Sequence, residues 1–222
     1  MRLSKVELAK IIDSTNVKPT ATRSEIEKLC ADAFQYGFGC VCVNPVYVGL
    51  AAALLKGFPV KVSGTVGFPF GSSLTEVKVF EAEKALLQGA SELDMVINLS
   101  LLKSGDYAAV KHDIASVVNV KRQSKEVIVK VIIEAPSLTR DEKVAACRLA
   151  CEAGGDFVKT ATGFLGGGAT VEDVGLMRQA VGKAVGVKAA GGIRTCPEAL
   201  AMIEAGANRI GTSSAVEILK GA

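Results

Sequence analysis

The chain contains no tryptophan, a single histidine and only 5% aromatic residues. With His112 as the sole imidazole and no C-x-x-C pair among six cysteines, the ligand sets of structural and catalytic zinc are missing, and no metal is expected. No apolar run approaches the ~20 residues of a membrane span. The start, Met1-Arg-Leu-Ser-Lys-Val-Glu, lacks the hydrophobic stretch of a secretory signal. Neither sign of charge dominates: 26 basic against 23 acidic residues leave +3, too little and too dispersed for a nucleic-acid surface. Gly64-Thr-Val-Gly67 lacks the third glycine of a dinucleotide fingerprint, and no Gly-Lys-Ser/Thr ends a P-loop. No linker, low-complexity tract or charge block divides the chain, so residues 1–222 are expected to form one domain. These absences point to a cytoplasmic protein, where Cys30, Cys40, Cys42, Cys147, Cys151 and Cys196 remain free thiols.

What is present is an apolar chain, 49% hydrophobic over 222 residues, with enough material for a large core. Apolar, β-rich runs recur at Ile11-Ile12, Cys40–Val43, Val60–Val62 with Thr65-Val66, Leu93–Ile97, Val127–Ile133, Asp156–Thr160, Val185–Ala189 and Arg209–Gly211. Between them lie stretches of helical spacing: Ser24–Tyr36, Pro45–Lys56, Thr75–Gln88, Asp106–Gln123, Thr139–Glu152, Val171–Val181, Pro197–Glu204 and Ser214–Leu219. Ser24 and Thr139 suit N-caps, the second with Glu142 completing a capping box. Gly37, Gly89, Gly154 and Gly206 follow the helices they would end. Eight strands alternating with eight helices, in runs too apolar to be half-exposed, predict an α/β fold with a parallel sheet covered by helices. Closure into a (β/α)8 TIM barrel fits the count and length, and an open doubly wound sheet is the rival.

In such barrels the reactive groups sit where strands end and the βα loops begin. Asp13, Asp94, Lys130, Lys159 and Lys188 fall within or at the ends of the predicted strands. Any one of them alone reads as a solvated strand end or a tolerated ion pair. Five together suggest a barrel mouth in which ammonium groups crowd a carboxylate, and crowding and desolvation both disfavour a charged amine. One lysine is then a candidate nucleophile toward a carbonyl, forming a Schiff base that acts as an electron sink. Independently, Gly191-Gly192-Ile193-Arg194 and Gly211-Thr212-Ser213-Ser214 occupy the loops after strands seven and eight, where barrels commonly bind phosphate. Gly163 and Gly166-Gly167-Gly168 add a third flexible turn, although glycines alone also serve simply to let a chain turn. Cys42 reads as a small buried thiol, within an aldehyde's reach if it faces the pocket.

These phrases, with Ile12-Asp13-Ser14-Thr15, Lys18-Pro19, Cys42-Val43-Asn44-Pro45, Glu92–Asn98, Lys130–Glu134, Val158–Gly163 and Lys188–Arg194, resemble class I deoxyribose-phosphate aldolase over nearly the whole chain. The resemblance implies a (β/α)8 barrel that reversibly cleaves 2-deoxy-D-ribose 5-phosphate to acetaldehyde and D-glyceraldehyde 3-phosphate, with no cofactor and no metal. By motif, Lys159 would form the Schiff base, Lys188 would tune that amine and share in proton transfer, and Asp94 would move protons. Asp13, Lys130 and Thr162 would complete the polar network. Phosphate would lie on Gly163, Gly192, Ile193, Arg194, Gly211, Ser213 and Ser214, mostly through backbone N–H groups. A homo-oligomer, dimer or tetramer, follows from family habit, with neither nucleic acid nor membrane as a partner. Ser14 and Asn16 stand where members often carry histidine and leucine, and Ala161 replaces a frequent serine. The chain stops at Leu219-Lys220-Gly221-Ala222 without the tyrosine-ended tail some members use, so slower turnover or a substitute group is expected. The rivals are a related barrel aldolase with another donor and a non-catalytic sugar-phosphate binding barrel.

Overall fold

The computed structural model of the chain describes residues 3–123 and 126–222. Its strands are β1 (Ile12–Asn16), β2 (Cys40–Val43), β3 (Lys61–Val66), β4 (Glu92–Val96), β5 (Ile128–Ile132), β6 (Phe157–Lys159), β7 (Gly186–Ala190) and β8 (Arg209–Thr212). All pair in parallel with their sequence neighbours. β8 closes on β1 through Ile12 against Ile210 and Asp13 against Gly211, which excludes the open sheet. The predicted (β/α)8 barrel is therefore the fold.

The helices are α1 (Lys5–Lys10), α2 (Arg23–Tyr36), α3 (Val48–Leu54), α4 (Thr75–Leu87), α5 (Leu99–Lys103) and α6 (Tyr107–Val118). The series continues with α7 (Arg140–Glu152), α8 (Val171–Val181), α9 (Cys196–Glu204) and α10 (Ala215–Lys220). α1 and α5, of 6 and 5 residues, were not anticipated. Pro45–Lys56 divides into a 3-10 turn, Pro45–Tyr47, and α3, since the proline starts a turn that tightens before α-geometry sets in. The N-cap of α2 is Thr22, not Ser24: Thr22 accepts from the N–H of Glu25, and the Glu25 carboxylate accepts from the N–H of Thr22. Ser24 lies inside the first turn. Thr139 and Glu142 form the predicted box on α7.

Strand alternation sorts the side chains into two layers. Outward residues such as Val41, Leu93, Met95, Val129, Val131, Val158, Val187 and Ile210 pack against helix faces such as Ile26, Cys30 and Ala33 of α2, and together they make the hydrophobic core. Ile26 is fully buried, so cutting it to alanine should cost ~2–5 kcal/mol. The inner layer is different. Instead of the branched aliphatic residues that usually fill a TIM barrel, it holds Asp13, Ser63, Glu92, Asp94, Lys130 and Lys188, all buried. Glycine makes the room. A Cβ on Gly211 would come 2.9 Å from Lys188 Cε, and one on Gly186 would come 2.2 Å from the Phe157 ring.

Candidate active site

Register brings the charges to one level. Asp94 on β4 lies beside Lys130 on β5, and Lys159 on β6 lies beside Lys188 on β7. Partners in register point to the same side of a sheet, so all four enter the lumen. The Asp94 carboxylate is their common acceptor. Its Oδ2 accepts from Lys159 Nζ and Lys188 Nζ, each at 2.7 Å, and its Oδ1 accepts from Lys130 Nζ and Ser63 Oγ, each at 2.8 Å. Asp13 Oδ2 sits 2.5 Å from Lys188 Nζ and 3.5 Å from Lys130 Nζ. Neither contact has hydrogen-bond angles, so Asp13 Oδ2 makes ion pairs without a hydrogen bond.

Two members of this lattice escaped sequence reading. Glu92 lies 2.5 Å from Lys130 Nζ, and Arg209 pairs with both Asp13, at 2.7 Å, and Glu92, at 3.0 Å. The available signal was period two: Glu92 precedes Asp94 by two on β4, and Arg209 precedes Gly211 by two on β8. The lattice thus joins four cations, Lys130, Lys159, Lys188 and Arg209, to three carboxylates, Asp13, Glu92 and Asp94.

Burial works against ionising Asp94, yet the ammonium groups of Lys130, Lys159 and Lys188 outweigh it and hold the carboxyl well below its usual range. Burial likewise opposes ionised Asp13, and Lys188, Lys130 and Arg209 overcome it. Burial disfavours charged Lys188 and Lys130, but their carboxylates win, and both are held above the ordinary lysine value. Asp13, Cys40 and Glu92 bring ligand atoms within 4.8 Å of one another. They do not fit a cation. Both carboxylates already carry cationic partners, and burial, then Glu92 and Asp13, push the Cys40 thiol well up, away from the thiolate a metal needs. Cys42 faces the lumen but is fully buried, and desolvation pushes its thiol up to about 11. The predicted reach of an aldehyde is therefore corrected: there is neither access nor a thiolate.

Above the lattice, at the C-terminal ends of the strands, opens a cavity of about 400 Å³. Of the three lattice lysines, only Lys159 lines it. Thr162, Gly163, Gly192, Ile193, Arg194, Gly211 and Ser213 line it too, which gathers most of the predicted phosphate loops at one end. Ser214 is outside that lining, and its N–H donates to Thr212 Oγ1. The Arg194 N–H is also engaged, by Glu198 Oε2 at 2.8 Å. The N–H groups of these two thus already have acceptors within the protein. Among the described residues no protein acceptor takes the N–H groups of Gly163, Gly192, Ile193 or Ser213. The first loop contributes Thr15, Asn16, Val17 and Lys18 to the same cavity.

An amine that opens to a cavity while resting on an ionised carboxylate can add to a carbonyl and pass its proton on. Fold and site therefore define a (β/α)8 barrel equipped for amine chemistry at its C-terminal mouth. A family model described as DeoC/LacD family aldolase matches residues 8–221. The chain is 63% identical over 219 residues to the deoxyribose-phosphate aldolase of Thermococcus gammatolerans, covering 98% of this chain and 97% of that one. It is 61% identical over 222 residues to that of Thermococcus kodakarensis, covering 99% of each. A solved tetrameric deoxyribose phosphate aldolase from Aeropyrum pernix superposes with a TM-score of 0.92 at 38% identity, covering 98% of this chain and 91% of that chain. The chain belongs to the DeoC/LacD family of aldolases.

Proposed function

We propose that the chain is a class I aldolase that reversibly cleaves 2-deoxy-D-ribose 5-phosphate to acetaldehyde and D-glyceraldehyde 3-phosphate. The observation that carries this reading is that Lys159 alone joins the ion lattice to the cavity. Its amine adds to the sugar aldehyde and water leaves, giving a protonated imine. A base takes the proton of the C3 hydroxyl, the C2–C3 bond breaks, and its electron pair moves into the imine as an enamine. Glyceraldehyde 3-phosphate departs, the enamine takes a proton at C2, and water releases acetaldehyde. Asp94, 2.7 Å from Lys159 Nζ, orients the amine and serves the hydroxyl proton through a water.

With four cations facing three carboxylates, the lattice becomes evenly matched when Lys159 reacts as a free amine. Lys188, held charged between Asp13 and Asp94, acts as a fixed positive charge more than as a proton carrier. Lys130 keeps Asp94 ionised and oriented, while Asp13 holds the ammonium groups of Lys188 and Lys130 in place. The phosphate lies on the free N–H groups of Gly163, Gly192, Ile193 and Ser213 with the Arg194 guanidinium, Thr162 and Gly211 shape that end of the cavity, and Ser214 stands behind it. The protein works as a homo-oligomer, dimer or tetramer. Exposed Leu74, Val77, Phe80 and Leu87 on and beside α4 and the tetrameric relative support this. No described helix is long and apolar enough to cross a membrane, and six free thiols suit a cytoplasmic site of action.

Borohydride reduction in the presence of substrate, followed by peptide mass mapping, should label Lys159, and Lys159→Ala should neither label nor turn over. Activity retained in that variant, or loss of activity on adding a chelator, would defeat the mechanism.

A further inference from the structure

Glu134 follows β5 at the C-terminal mouth and does nothing in the reaction as written. It is the positive-φ non-glycine residue among those described, with φ 55 and ψ 55, a left-handed conformation unfavourable for a side chain. It is also fully buried. A carboxylate kept in that backbone conformation away from water must be held there by what it contacts. One contact is specific: Glu134 Oε2 accepts from the N–H of Thr162 at 2.8 Å, while Oε1 has no protein partner.

That bond is the last of three rungs. Ile133 N–H donates to Lys159 O at 3.0 Å and Ala135 N–H donates to Thr160 O at 2.7 Å. The side chain of Glu134 then carries the β5–β6 contact to Thr162, two residues past the last of these backbone rungs at Thr160. Beyond it, Thr162 Oγ1 accepts from Phe164 N–H at 3.1 Å, and Gly163 turns with φ 81. Glu134 is thereby the anchor of the segment that runs from the reactive lysine to the cavity wall.

We infer that Glu134 is a positioning residue that aims the Thr162–Gly163 backbone at the phosphate end of the substrate, at a set distance from Lys159. This rests on the proposed sugar-phosphate reading and extends it. The left-handed backbone and the Thr162 contact occur together at this one residue.

The test compares wild type with Glu134→Gln, Glu134→Ala and Glu134→Gly. Glutamine keeps an acceptor oxygen, whereas glycine removes it and relieves the left-handed backbone, so it separates anchoring from folding stability. Three quantities are read: inorganic phosphate affinity by calorimetry, kcat/KM on 2-deoxyribose 5-phosphate against unphosphorylated 2-deoxyribose, and Tm. The Ala and Gly variants should lose about tenfold in phosphate affinity and in kcat/KM on the phosphorylated sugar, while kcat/KM on 2-deoxyribose stays within about twofold. Glutamine should restore most of the loss, and glycine should show it with an undiminished Tm. Equal losses on both sugars, or unchanged phosphate affinity in Glu134→Gly, would overturn the inference. A wild-type protein that binds phosphate but cleaves neither sugar would instead overturn the proposed activity and leave the calorimetric comparison decisive for Glu134.

Discussion

Replacing Lys188 by methionine tests the electrostatics at its root, because it removes a buried cation of similar volume and leaves three cations facing three carboxylates. Lys188 Nζ and Lys159 Nζ each lie 2.7 Å from the same Asp94 oxygen, so the two nitrogens are no more than twice that distance apart. At an effective dielectric of ~20 their repulsion is ~3 kcal/mol, or about two powers of ten in an equilibrium. Without it Lys159 shares that oxygen with no second cation. In Lys188→Met, kcat/KM at pH 7 should fall about a hundredfold, and borohydride trapping of the imine should fall with it. Asp13 retains Arg209 at 2.7 Å and Lys130 at 3.5 Å, and Asp94 retains Lys130 and Lys159. The cost to folding should therefore stay near ~3 kcal/mol, and circular dichroism would show the variant folded. Unchanged kcat/KM at pH 7 would refute the fixed-charge role.

The lattice also sets a pH window for stability. The carboxyls of Asp13 and Asp94 are held below their ordinary 3.8, so the stability they contribute is complete above that value and is lost as the pH falls toward their folded values. Lys130 and Lys188 are held above 10.5, so theirs is complete below that value and is lost as the pH rises toward their folded values. Urea midpoints should be highest between these limits and fall on both sides, and a maximum in acid would contradict the charge assignment. Thr139→Ala should lower the free energy of unfolding by ~1 kcal/mol in urea titration, because it removes the acceptor for the Glu142 N–H. A change inside measurement error would mean that the box contributes nothing.

The barrel was legible because the physics behind it is local. Strands buried on both faces read as continuous apolar runs, and Gly37, Gly89, Gly154 and Gly206 turn with positive φ after α2, α4, α7 and α9. Lys159, Asp94 and Lys188 stood out as charges inside runs that should carry none. Glu92 and Arg209 did not, because each sits at the first residue of its strand, where a charge reads as a solvated end. Glu134 had no signal at all: a left-handed glutamate looks like any other glutamate until its φ is known.

The order of elements, the C-terminal mouth as the place of chemistry and the residue types available there were determined by the sequence itself, through periodicity, capping and turn formation that act within a few residues. Which charge meets which was decided by the tertiary structure. Asp94 reaches Lys159 and Lys188 across 65 and 94 residues, and Arg209 reaches Asp13 across 196. Only barrel closure, with a register that sends every second side chain inward, puts them on shared oxygens. There the low dielectric turns separate charges into one lattice, from which Lys159 alone opens to the cavity.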